Sequence, residues 1–97
     1  MHVGVSKITL RLPANQSLKG KRRVINSLCS RVRSKFDVSI AEVDNNDSWQ
    51  LATLGIACAS NSSSHADQAI SSVIEFIERS RDDVEVVADE RETLSGF

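Results

Sequence analysis

The chain has 97 residues, 40% of them apolar and 26% charged, with four glycines and one proline. This length predicts one domain with a single two-layer core, and the composition excludes disordered, collagenous and membrane-embedded classes. The formal net charge of -1 hides a division, because Met1 to Phe36 holds nine basic and no acidic residues while the remainder holds three basic against thirteen acidic.

The opening residues, MHVGVSKITLRL, alternate and include Lys7 and Arg11, so they lack the uninterrupted apolar run of a secretory signal. No stretch approaches the length of a membrane span. The expectation is a cytoplasmic protein with no membrane association, for which the three N-x-[ST] matches at Asn15, Asn46 and Asn61 are chance events. Residues 2 to 12 read as a strand, with Val3 and Val5 out of phase with Ile8, Leu10 and Leu12. Either the strand bulges near Ser6 and Lys7 or it is apolar on both faces. Pro13 closes it. Ser17 is a good N-cap, and Leu18, Ile25, Leu28, Cys29, Val32 and Phe36 recur at helical spacing, predicting an amphipathic helix through Lys35.

Asp37 to Val43 and Trp49 to Ser60 read as two further strands, joined as a hairpin by the turn formers Asp44, Asn45, Asn46, Asp47 and Ser48. Ser64 with Asp67 resembles a capping box, opening a second helix marked by Ala66, Ala69, Ile70, Val73, Ile74 and Ile77 and ending near Ser80. Val84 to Ala88 forms a fourth strand that can extend to Glu92, which leaves Thr93 to Phe97 as a loose tail and 1–92 as the domain. The order β-α-β-β-α-β predicts a ferredoxin-like α+β fold, two helices on one face of a four-stranded antiparallel sheet. The other sheet face, with Val3, Val5, Thr53, Gly55, Ala57 and Ala59, is open to a partner or a second copy of the chain. Cys29 and Cys58 lie in phase with apolar neighbours and read as reduced core thiols.

The first helix carries Lys19, Lys21, Arg22, Arg23, Arg31, Arg33 and Lys35 with no negative charge. Four of these stand in the first two turns, where they oppose the positive end of the helix dipole at about 0.3–1 kcal/mol each. An anion is therefore expected there, and Lys21, near the apolar stripe, is expected to reach along the surface toward it. Two anions qualify. One is the protein's own hairpin, Glu42, Asp44 and Asp47, which this topology brings to the same end of the domain. The other is nucleic-acid phosphate, for which a basic helix start is well suited. Stacking on the sheet in the manner of RNA-recognition motifs is not expected, since the only aromatics are Phe36, Trp49, Phe76 and Phe97 and none lies in the required motif.

Enzymatic patterns fail on spacing. A Walker sequence ending at Gly20-Lys21-Arg22 would need Gly at Asn15 and Ser or Thr at Arg22. Asp44, Asn46 and Ser48 match three positions of a calcium loop, but Trp49 and Gly55 replace its Gly and Glu. Glu42 and Asp44, two apart on one strand, share a face and read as ion-paired surface carboxylates. Ser64, His65 and Asp67 are too close together to form a triad. Trp49 is expected to lid the core edge. No catalytic residue, metal or cofactor is expected, and the protein is expected to be non-enzymatic.

The segments L-K-G-K-R (Leu18 to Arg22), R-V-R-S-K-F (Arg31 to Phe36) and V-S-I-A-E-V-D-N-N-D-S-W-Q (Val38 to Gln50) together resemble the YlxP-like family of small bacterial domains of unknown function. The resemblance covers nearly the whole chain, the Asn61 to Ser64 loop being the least typical part. It implies a ferredoxin-like fold. Members are often encoded beside translation and ribosome-maturation genes, including that of ribosome-binding factor A, which implies ribosomal RNA or a ribosomal subunit as partner; the family brings no catalytic residues. The resulting expectation is an RNA-associated module with Lys19, Lys21, Arg22, Arg23, Arg31 and Arg33 on phosphates. The alternative is a homodimer or protein-interaction module, in which the two charge poles satisfy each other and the open sheet face buries Val3 and Val5.

Overall fold

In the computed structural model, which describes residues 1–97, the strand His2–Arg11 (β1) is the spine of the sheet. It pairs antiparallel with Leu51–Ser60 (β3) on one side and with Glu85–Leu94 (β4) on the other, and Ser39–Asp44 (β2) pairs with the far edge of β3. The spatial order is therefore β2-β3-β1-β4, with every neighbouring pair antiparallel. The helices Leu18–Lys35 (α1) and Ser63–Ser80 (α2) both pack on one face, and this is the ferredoxin-like α+β arrangement.

The β1–β3 register runs unbroken from His2 opposite Ser60 to Arg11 opposite Leu51. No bulge interrupts β1 at Ser6 and Lys7, so the second expectation for this strand holds. Gly4, Ser6, Ile8 and Leu10 are buried beneath the helices, while Val3, Val5, Lys7, Thr9 and Arg11 take the opposite face. The irregularity lies in β4, where partners step from Thr9–Ala88 to Leu10–Val86 and leave Val87 as the extra residue. Ile8, Leu10, Leu54 and Ile56 from the sheet meet Ile25, Leu28 and Val32 from α1 and Ile70, Val73, Ile74 and Ile77 from α2. Each such side chain contributes about 1.5–3 kcal/mol by leaving water. Cys29 and Cys58 are buried, unbridged thiols, and burial pushes Cys29 above the ordinary 9.0.

Several boundaries differ from the sequence expectations, among them β2, which covers Ser39–Asp44 instead of residues 37–43. The N-cap of α2 is Ser62 instead of Ser64: its Oγ accepts from His65 N at 3.3 Å, and its carbonyl accepts from Ala66 N at 3.1 Å. The run of serines offers several equivalent caps, and Ser62 is the one that receives the helical amides of His65 and Ala66. β4 continues to Leu94, because Thr93 pairs with Gly4 and Leu94 with Val3. The fourth strand thus passes the expected limit at residue 92. Finally, the hairpin turn is longer than expected, β3 beginning at Leu51.

Candidate nucleic-acid interface

Ser17 starts α1 by accepting from Gly20 N at 2.9 Å on its Oγ and from Lys21 N at 3.1 Å on its carbonyl. No acidic residue stands in the first turn. One turn further, Lys21 points inward and is completely buried. Its ammonium donates to the carbonyls of Asn45 at 2.7 Å, Asn46 at 3.3 Å and Leu51 at 3.1 Å, and Nζ lies 2.9 Å from Glu42 Oε2. The carbonyls take the directions of the N–H bonds. Glu42 Oε2 is thereby left in charge contact with the ammonium and without an aligned hydrogen bond.

Lys21 is therefore not a phosphate contact: the expectation that it reaches along the surface is corrected by its burial, and its charge is spent inside the domain. The cause lies in the hairpin. β2 carries a bulge at Val43, with Glu42 opposite Leu54 and Asp44 opposite Thr53. Glu42 stays on the helix face and meets Lys21, whereas the bulge turns Asp44 to the open face, so the two carboxylates do not share a face. Asp44 Oδ1 accepts from Asn45 N at 2.8 Å, and Asn45 adopts the left-handed φ of 61° that asparagine tolerates. The turn closes with Ser48 N donating to Asn45 O at 3.0 Å.

The loop before α1 is tied to the same turn. Asn15 Nδ2 donates to the carbonyls of Ser17 and Trp49, both at 2.6 Å, and Gln50 Nε2 donates to those of Pro13 and Asn15 at 3.3 Å. Gly20 is required by this arrangement, since a Cβ there would stand 2.5 Å from Asn15 Oδ1 and 2.9 Å from Ser17 Oγ. Trp49 is held by its backbone and leaves its side chain outside, 57% of the residue being exposed. It does not lid the core.

The remaining basic residues of α1 fall into two groups. At about 100° per residue, Lys19, Arg22, Arg23 and Arg33 lie within roughly 60° of Lys19, with Asn26 and Ser30 between them, over about 21 Å of helix. All are exposed. Arg33 Nη2 donates to Ile40 O on β2 at 2.6 Å, while Lys19, Arg22 and Arg23 have neither a carboxylate within 4.0 Å nor any side-chain hydrogen bond. Arg31 and Lys35 turn the other way, toward α2, and stand over the Phe76 ring at 5.4 and 4.8 Å from its centroid. Phe76 meets Phe36 edge-on with centroids 5.6 Å apart.

Internal pairing thus accounts for one α1 lysine. Neither Asp44 nor Asp47 pairs with a cation. Sequence reasoning left Lys35, Arg79 and the Phe36–Phe76 pair out of the site; Arg79 lies on α2, far from the basic run in sequence, and only the packing of the two helices brings it near. No group of three or more metal-ligating side chains is present, and no helix is long and apolar enough to cross a membrane.

The family model described as a protein of unknown function, DUF503, matches residues 3–91. The chain is also similar to "Uncharacterized protein YlxP" of Bacillus subtilis (strain 168), at 40% identity over 62 residues, which is 64% of this chain and 67% of that relative.

Proposed function

The chain belongs to the DUF503 family of proteins of unknown function, and from this premise and the charges on α1 we propose a non-enzymatic, cytoplasmic module that docks on structured RNA. The contacts are between phosphates and Lys19, Arg22, Arg23 and Arg33, on the outward side of α1. The observation that carries the reading is the trio Lys19, Arg22 and Arg23, free of any protein anion and set at the end of the helix whose dipole disfavours them. A polyanion along that side supplies the missing counter-charge. The small polar residues Asn26 and Ser30 leave the stripe low enough for a backbone to lie along it. Recognition of this kind follows shape and charge, and it carries little base specificity. Ribosomal RNA is the partner that the family resemblance favours.

Titration of the chain against ribosomal subunits and duplex RNA over a range of salt tests this. Affinity is expected to fall steeply with log[salt], and Arg22→Ala with Arg23→Ala to flatten the slope by roughly two units, about one per lost phosphate contact. Absence of binding even at low salt removes the reading.

A second reading, a homodimer through the open sheet face, is favoured by the bare side of β1 and β3. Val3, Val5 and Ala57 are only partly covered there, and Val43 and Leu94 are 54% and 41% exposed.

A further inference from the structure

Of the twelve Lys and Arg side chains, Lys7, Arg11, Lys21, Arg81 and Arg91 pair with carboxylates and Arg33 with a carbonyl. Six remain without a partner. Three form the start of the α1 stripe, and the other three, Arg31, Lys35 and Arg79, line one groove between α1 and α2 with a volume of about 490 Å³. That is within the roughly 300–1,000 Å³ of pockets that hold small ligands. Phe36 and Phe76 line the same groove, together with Glu75, which pairs with none of the three cations within 4.0 Å.

Two of these charges stand over a single ring, Arg31 Cζ at 5.4 Å and Lys35 Nζ at 4.8 Å from the Phe76 centroid. The ring face attracts each cation weakly, by about 0.5–1 kcal/mol at an exposed site. It does not neutralise either one, and Arg79 adds a third positive charge to the rim. A ligand matching the groove therefore brings an anion for the cations and a flat surface for the Arg31 guanidinium plane that stands over the ring. Guanidinium and aromatic planes together are how unpaired bases are commonly held, and forked arginines suit phosphate oxygens.

We propose that this groove binds a nucleoside phosphate, with the phosphate between Lys35 and Arg79 and the base against the Arg31 guanidinium plane that Phe76 supports. The ligand is either a free mononucleotide or the unpaired, 5′-phosphorylated end of an RNA strand. Only the second source rests on the RNA reading above. The site itself uses none of Lys19, Arg22, Arg23 or Arg33.

The test follows backbone amide shifts of the full chain during titration with adenosine and uridine 5′-monophosphates, adenosine, inorganic phosphate, and duplex RNA with and without a 5′-phosphorylated single-stranded overhang. The expected result is saturable movement of amides in 31–36 and 72–80 with the mononucleotides, or with the overhang RNA only, which identifies the source. Arg79→Ala and Phe76→Leu are each expected to weaken that binding roughly ten-fold or more. Arg79 is exposed, so its variant stays folded and keeps blunt-duplex binding, which separates failure of the groove from failure of the stripe. No movement with any nucleotide-bearing ligand overturns the proposal. So does inorganic phosphate or adenosine binding as tightly as the nucleotides.

Discussion

Lys21 joins four chain positions through one ammonium group: Glu42, the two turn carbonyls of Asn45 and Asn46, and the carbonyl of Leu51 at the start of β3. Burying such a charge is costly, and only full coordination offsets it. Lys21→Met keeps the length of the stem and deletes the charge, which leaves a buried carboxylate and three carbonyls without their donor. The expected loss is about 3–5 kcal/mol, the range for breaking a buried pair from one side. Against a total stability of about 5–15 kcal/mol for a domain, that is a large fraction. Urea unfolding measures it through the midpoint, with Arg22→Ala, next in sequence and fully outward, expected to stay within about 0.5 kcal/mol. A small effect of Lys21→Met would mean that the hairpin does not depend on this contact.

At the scale of elements, the corner between α1 and the β2–β3 turn depends on Gly20. Alanine in place of a helical glycine ordinarily stabilises by about 0.8–1.0 kcal/mol. Here the new methyl would press on Asn15 Oδ1 and Ser17 Oγ, at 2.5 and 2.9 Å, and Asn15 holds the carbonyl of Trp49. Gly20→Ala is therefore expected to destabilise, the reverse of the propensity rule, and denaturant unfolding reads the sign directly. The elements themselves were legible in the sequence because their signals are local. Alternation marks β1 and β3, and the apolar stripes of α1 and α2 match their buried residues, Ile25, Leu28 and Val32, and Ile70, Val73 and Ile77. The site was legible only in part. A basic run shows how much charge a helix carries, but the direction of each side chain depends on what faces it. Lys21 lies about 40° from the middle of the apolar stripe, close enough to turn in once the hairpin offers carbonyls. The bulge at Val43, which separates Glu42 from Asp44, has no mark in a stretch reading E-V-D. Trp49, expected as a lid, faces outward because its turn is fixed by Asn15, 34 positions away.

For the whole molecule, the two charge poles do not simply cancel across space. β4 brings acidic residues beside β1, where Arg11 meets Glu85 at 3.0 Å and Lys7 approaches Glu90 at 3.9 Å. These are exposed pairs of modest worth; they match the two cations of the open sheet face and leave Asp44 and Glu92, opposite Thr53 and Val5, as its unpaired charges. The middle of that face, on β2 and β3, is apolar, with Gly55 covered by Val43, whose Cγ1 would lie 2.9 Å from a Cβ at that glycine. If a second copy covers it, sedimentation equilibrium gives a dimer that Val5→Glu dissociates, since a buried unpaired carboxylate is not tolerated in an apolar contact. A monomer at all concentrations, unchanged by the substitution, removes the homodimer.

Two of the three segments that carry the family resemblance, Leu18 to Arg22 and Val38 to Gln50, touch through Lys21, Glu42, Asn45 and Asn46. One five-residue motif thus faces two ways, Lys21 toward the hairpin and Lys19 and Arg22 toward solvent. The inward lysine is fixed by the corner it helps to build, whereas the outward cations Lys19, Arg22 and Arg23 make no contact that this corner needs. A change at 19, 22, 23 or 33 therefore alters the charge that this side of the molecule presents, whereas a change at 20 or 21 alters whether the corner is built.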